Sequence, residues 1–177
     1  MVSPPPSAAR YQQPFIAQGF RCPLVQDNAI YIVPASLQEA NDYLAEHIRR
    51  CQPMRGCKFS VGCALDGELV GAAIVGRCRD DAQAVQIDRI YTTGGRAAYG
   101  MLYGAAARAA QALGYWKIIA FLPADRPDSA LRAAGWVRAD PVDTNRKWAS
   151  KTLRYERLLI TRRRWRRLAS CNEAGTM

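Results

Sequence analysis

Along this chain the spacing of apolar residues switches between the period of a strand and that of a helix, and each switch marks an element. Ala29 to Val33 is a short apolar run ended by Pro34, which reads as a strand. Ser36 follows with Glu39 three residues on, the spacing of a capping box, and Leu37, Ala40, Tyr43, Leu44 and Ile48 then recur at helical intervals. Pro53 restricts the residue before it, so this helix is expected to stop near Cys51. Lys58 to Leu65 and Glu68 to Val75 read as two strands joined by Asp66-Gly67, a strong hairpin signal. Ala84 to Tyr91 alternates as a third strand of this group, with Val85, Ile87 and Ile90 facing inward.

A polar, glycine-containing turn then leads into an alanine-rich helix from about Ala97 to Leu113, closed by Gly114. Trp116 to Leu122 is a continuous apolar strand ending at Pro123. Asp128 or Ser129 is placed to cap a short helix through Ala134, closed by Gly135. Trp136-Val137 and Thr152 to Ile160 read as the last strands. The predicted order is β-α-β-β-β-α-β-α-β-β, without internal repeat.

The bulk properties set bounds on this picture. A chain of 177 residues is long enough for one domain with a substantial core. We divide it into an extension at 1–28, a domain at 29–160 and a basic tail at 161–177. No apolar run approaches the roughly 18 residues of a membrane span, and the proline-rich start has no secretory apolar segment, so a cytoplasmic protein is expected. The six cysteines include no C-x-x-C pair, and without a secretory signal they are expected to stay reduced. His47, Cys51, Cys57 and Cys63 form the one metal-like set; their spacing fits no zinc signature, so no metal is assigned.

Charge is unevenly spread. Residues 1–140 hold 15 Lys/Arg against 12 Asp/Glu, whereas residues 141–177 hold 10 against 3. The run Arg162, Arg163, Arg164, Trp165, Arg166, Arg167 can contact phosphates through charge and a base through the indole, or form a merely solvated end.

The segment with chemistry in it is 84–114. A strand that runs through a glycine turn into a helix presents backbone N–H groups and the positive end of the helix dipole to an anion. Here the turn holds Thr92, Gly94, Gly95 and Arg96. Asp88 and Arg89 stand at the end of the strand, where either can orient a substrate or act in acid–base work, or the two can pair and fix the strand end.

In this order of elements the chain resembles the GNAT acyltransferase superfamily. That family grips the pyrophosphate of acetyl-CoA with a loop of the form Gln/Arg-x-x-Gly-x-Gly/Ala. The matching stretch is Arg96-Ala97-Ala98-Tyr99-Gly100-Met101, with Tyr99 and Met101 at the small positions; an alternative register puts Ala98 and Gly100 there, with Gly95 replacing the basic residue. A closer resemblance is to small phage- and prophage-encoded GNAT-like proteins. It rests on Lys58-Phe59-Ser60, Gly71 to Arg77, Arg89, Leu102 to Ala110 with Leu113-Gly114-Tyr115, and Ser129 to Trp136. More distantly, this group looks like the phage Mom proteins, which modify adenine in DNA.

The resemblance implies an α+β fold, a central twisted mixed sheet flanked by helices. It also implies an N-acyltransferase that uses acetyl-CoA or a related acyl-CoA thioester as donor. Its cofactor site would be built from Ile90, Tyr91, Thr92, Gly94, Gly95, Arg96, Ala97, Ala98, Tyr99 and Gly100, with an oxyanion held near Ile90 to Thr92. Asp88, Arg89 and Ser129 are the catalytic candidates, Ser129 as an acid for the leaving thiolate unless it is simply a helix cap. DNA is the implied partner, through an amino group of a modified nucleobase; the alternative is a non-catalytic module of this fold that binds DNA or a protein.

Overall fold

The computed structural model describes residues 29–139 and 152–160. The elements follow the predicted order: β1 (Tyr31–Pro34), α1 (Leu37–His47), β2 (Phe59–Leu65), β3 (Glu68–Arg77), β4 (Ala84–Thr92), α2 (Gly95–Ala112), β5 (Lys117–Pro123), α3 (Ser129–Ala133), β6 (Val137–Arg138) and β7 (Thr152–Leu158). The strands form one seven-stranded sheet in the order β1-β2-β3-β4-β5-β7-β6. All pairs are antiparallel except β4 with β5, which are joined through α2 and run parallel.

Local chemistry explains most boundaries. Ser36 and Glu39 close the capping box in both directions, the serine Oγ accepting from the Glu39 N–H at 3.2 Å and the carboxylate accepting from the Ser36 N–H at 2.9 Å. The Asp66-Gly67 turn has positive φ at both residues, 52° and 84°, as a two-residue hairpin of the twisted sheet requires. Helix α1 ends at His47, earlier than the expected Cys51. Ile48 is already extended, at φ −112° and ψ 111°, and packs its side chain against the sheet instead of continuing the helix.

The sheet separates two cores. On one face α2 and α3 cover Cys63, Val75, Val85, Ile87, Ile118 and Ala120, with Ile90 partly buried beside them. On the other, α1 packs Ala40, Tyr43 and Leu44 onto Ala72 and Ile74. The alanines of α2 (Ala98, Ala106, Ala107 and Ala110) are at most 1% exposed, so small side chains let this helix lie close to the sheet. No helix among the described residues is long and apolar enough to cross a membrane.

Candidate active site

Two irregularities in β4 shape the centre of the molecule. First, its pairing with β5 runs only from Ala84↔Lys117 to Ile87↔Ala120, although β4 continues to Thr92 and β5 to Pro123. Beyond Ile87 the two strands part, and the β5-facing backbone groups of residues 88–92 have no strand partner among the described residues. Second, β4 bulges against β3: Ile74 is opposite Arg89 and Val75 opposite Ile87, which leaves Asp88 as the extra residue.

The bulge decides where side chains point. Arg89 shares a face with its partner Ile74, a member of the α1-side core, and Tyr91 packs against that same core. Asp88 turns to this face too: its Oδ1 accepts from Gln86 Nε2 at 3.0 Å, and its carboxylate occupies the space a side chain at Gly76 would fill. Gly76 is therefore needed for its missing Cβ, not for any special φ. Asp88 and Arg89 form no ion pair; Arg89 Nη1 donates to the Asp88 carbonyl at 3.1 Å instead. Burial raises the Asp88 pKa above the ordinary carboxylate value, against the opposing hydrogen bond from Gln86 and the charges of Arg89 and Arg79. The nearby Cys57 thiol is also pushed up, by burial first and then by the Asp88 charge.

The turn from β4 into α2 is fastened to β3 at a single carbonyl. Val70 O accepts from Thr93 N at 3.0 Å, Thr92 Oγ1 at 2.7 Å, Thr93 Oγ1 at 3.2 Å and the Tyr43 hydroxyl at 2.7 Å. The Tyr43 oxygen in turn accepts from Thr93 N at 3.3 Å, so α1 reaches across to hold the same turn. Gly94 N donates to Thr92 Oγ1 at 2.9 Å. Tyr43 read in the sequence as one more apolar position of α1; its second role depends on where β3 and β4 end, which no local pattern reports.

Helix α2 then starts without a cap. Gly94 is the N-cap with no side-chain bond, and the first turn contains no acidic residue. The N–H groups of Gly95, Arg96 and Ala97 have no acceptor within the helix. Gly95 has φ 73°, and a Cβ added there would meet nothing within 4 Å, so the backbone is open on that side. Gly95, Arg96 and Ala97 are exposed. Tyr99 and Gly100 lie deeper: the Tyr99 ring stacks on Tyr103 with centroids 6.4 Å apart, and Gly100 approaches α3 at the Ala130 carbonyl. Tyr103 packs edge-on against Trp136 at 5.7 Å.

Of the two cap candidates for α3, the structure selects Asp128 and not Ser129. Asp128 is the N-cap, and its carboxylate is held by the Tyr155 hydroxyl at 2.8 Å and Arg132 at 2.9 Å. Ser129 is the first helical residue, and its Oγ is buried with no hydrogen-bond partner among the described residues. The metal-like set is split by the sheet. Cys63 belongs to the α2-side core while Cys51 and Cys57 pack on the α1 side, and His47 Nδ1 lies 2.9 Å from the Tyr43 carbonyl. No group of three or more His, Cys, Asp and Glu converges among the described residues. The run Arg162 to Arg167 lies outside them.

No known family model matches the sequence, and no curated protein matches it. Solved structures do match the fold. An N-acetyltransferase from Staphylococcus aureus Mu50 aligns with a TM-score of 0.57 at 18% identity, covering 74% of this chain and 99% of that one. A GNAT superfamily phosphinothricin acetyltransferase from Sinorhizobium meliloti, solved in complex with acetyl-CoA, aligns at 0.56 with 16% identity, covering 74% and 89%. The ribosomal-protein-S18-alanine N-acetyltransferase of Escherichia coli aligns at 0.54 with 11% identity, covering 75% and 96%. The seven-stranded mixed sheet with its flanking helices is thus the fold of the GNAT acetyltransferases.

Proposed function

We propose that the protein is an acyl-CoA-dependent N-acyltransferase whose donor site lies at the parting of β4 and β5. The observation that carries this reading is the free β4 edge at residues 88–92, which leads directly into an uncapped helix start. The residues present fit such a donor. The amides of Gly95, Arg96 and Ala97, with the Arg96 guanidinium and the helix dipole, suit a pyrophosphate. The β5-facing backbone groups of Ile90 to Thr92, on a strand still paired with β3, suit an extended amide-bearing arm. Ala98 packs beneath the turn, and Tyr99 and Gly100 support it from the α3 side.

A bound acyl-CoA supplies a thioester carbonyl, on which the acceptor nitrogen forms its new bond as the carbon–sulfur bond breaks. Asp88 accepts the proton that the amine loses; its raised pKa and half-buried carboxylate suit a general base. A free N–H of β4 near Ile90 to Thr92 holds the negative charge on the carbonyl oxygen. The Ser129 hydroxyl, without a hydrogen-bond partner among the described residues, is the group assigned to protonate the leaving thiolate. Arg89, next to the base, orients the acceptor. We assign the acceptor to the α1 side of the sheet, as an amino group on a nucleobase of DNA, with the basic run Arg162 to Arg167 as a further contact to its backbone.

Calorimetric titration with acetyl-CoA tests the donor site. Saturable binding is expected, and no heat at millimolar concentrations removes the enzyme reading. Tyr43→Phe deletes the hydroxyl that joins α1 to the β4–α2 turn while keeping the ring. It is expected to weaken acetyl-CoA binding about fivefold, the worth of one net hydrogen bond of roughly 1 kcal/mol, with a similar loss of stability. Unchanged affinity in this variant would show that the turn does not need the α1 anchor.

A further inference from the structure

Residues 48–58, between α1 and β2, carry Arg49, Arg50, Arg55 and Lys58 and not one carboxylate. The segment is fixed against the α1 side of the sheet. Asn41 Nδ2 donates to the Met54 carbonyl at 2.9 Å, and Met54 N donates back to Asn41 Oδ1 at 2.9 Å. Lys58 N donates to the Val75 carbonyl at 2.8 Å, while Ile48, Cys51, Met54 and Cys57 pack against the α1-side core. Cys57 lies near enough to Asp88 to feel its charge.

Two cations from other stretches of the chain act at Asp88 itself. The β4 bulge turns Arg89 to this face, and Arg79, just past β3, acts with it on the Asp88 carboxylate. All six basic residues are exposed. None is in an ion pair among the described residues, where the ion-paired cations are Lys117, Arg132 and Arg154. Asp42 and Glu46 of α1 and Asp80 beyond β3 pair with none of them. Arg89 and Arg79 thus act on the carboxylate assigned as base, and the basic segment 48–58, whose Cys57 feels the same carboxylate, is fastened to that side of the sheet. A neutral or cationic acceptor gains nothing from that arrangement, whereas arginine forks match phosphate oxygens in charge and geometry.

We propose that the acceptor amine is carried on a phosphate ester, and that Arg89, Arg79 and the basic segment 48–58 hold the phosphate while the amine lies at Asp88. This rests on the acyltransferase reading for the role of Asp88. The phosphate belongs to a mononucleotide-like acceptor or to the backbone of a polynucleotide, and a titration separates the two. The full chain is titrated with deoxycytidine, deoxycytidine monophosphate and a short oligodeoxycytidylate, with and without saturating CoA to occupy the donor site.

The monophosphate is expected to bind at least about tenfold more tightly than the nucleoside, as one charge-assisted contact supplies. Arg89→Gln and Arg79→Gln each remove most of that difference, with thermal midpoint and acetyl-CoA affinity retained. If the oligonucleotide binds more tightly still, with a salt slope that falls by about one for each arginine replaced, including Arg55→Gln, the source is a polynucleotide backbone. Equal binding of oligonucleotide and monophosphate identifies a single phosphate. Equal binding of nucleoside and monophosphate, or a preference that survives both arginine replacements, overturns the proposal. A phosphate preference in a protein that fails to bind acetyl-CoA removes the acyl-transfer reading alone, and acetyl-CoA binding without that preference removes this one alone.

Discussion

Asp88→Asn is expected to lower kcat/KM for acyl transfer by about 10²–10⁴-fold, the usual contribution of a positioned general base, while leaving acetyl-CoA affinity unchanged. The amide keeps the size of the carboxylate and can still meet Gln86, so the fold should survive. The pH dependence gives a second readout. Burial raises the Asp88 pKa, and the base works only when deprotonated, so kcat/KM should rise with pH through a value above the ordinary carboxylate range and level off. In Asp88→Asn that limb disappears. Gly76→Ala approaches the same group from the opposite strand. Its new methyl takes the space of the Asp88 carboxylate, which must swing out because it is the movable partner. Activity should fall with little loss of stability, and the acid limb should move to lower pH as the carboxylate becomes solvated. Wild-type activity in either variant would exclude Asp88 as the base.

Gly71→Val should produce the largest loss of stability. Gly71 lies in β3 between β2 and β4, and even a Cβ there would stand 2.6 Å from Cys63 Sγ and 2.6 Å from Thr92 Cβ. Cys63 is fully buried and Thr92 is 5% exposed, so neither has room to withdraw. Overpacking of this kind costs about 3 kcal/mol, or a fall in Tm of about 6–12 °C for a chain of this size. Thermal unfolding followed by circular dichroism measures it. Thr92 also fastens the turn into α2, through its bonds to the Val70 carbonyl and Gly94 N–H. The variant should therefore lose acetyl-CoA affinity beyond its loss of folded fraction; unchanged affinity at a temperature where it remains folded would separate the turn from the core.

The elements and their order are legible in the sequence, because the signals that specify them are local. The Ser36–Glu39 box, the Asp66-Gly67 turn, the alternation through Val85 and Ile87 and the stops at Gly114 and Gly135 each act within a few residues. The GNAT-like sheet follows from that order, and the glycine turn before α2 is legible for the same reason. Tertiary structure alone decided what those signals could not contain. Strict alternation along β4 would separate Asp88 and Arg89 onto opposite faces; the bulge against β3, a property of two strands, puts both beside α1. The burial that raises the Asp88 pKa needs the missing side chain of Gly76, twelve residues back in the chain. Local signals offer Asp128 and Ser129 alike as caps; the fold makes Asp128 the N-cap, held by Tyr155 and Arg132, while the Ser129 oxygen has no hydrogen-bond partner among the described residues. The basic rim was also invisible as a unit. Residues 48–58, Arg79 and Arg89 are scattered in sequence among acidic residues; the fold fastens the basic segment to the α1 side of the sheet and leaves these cations out of ion pairs among the described residues.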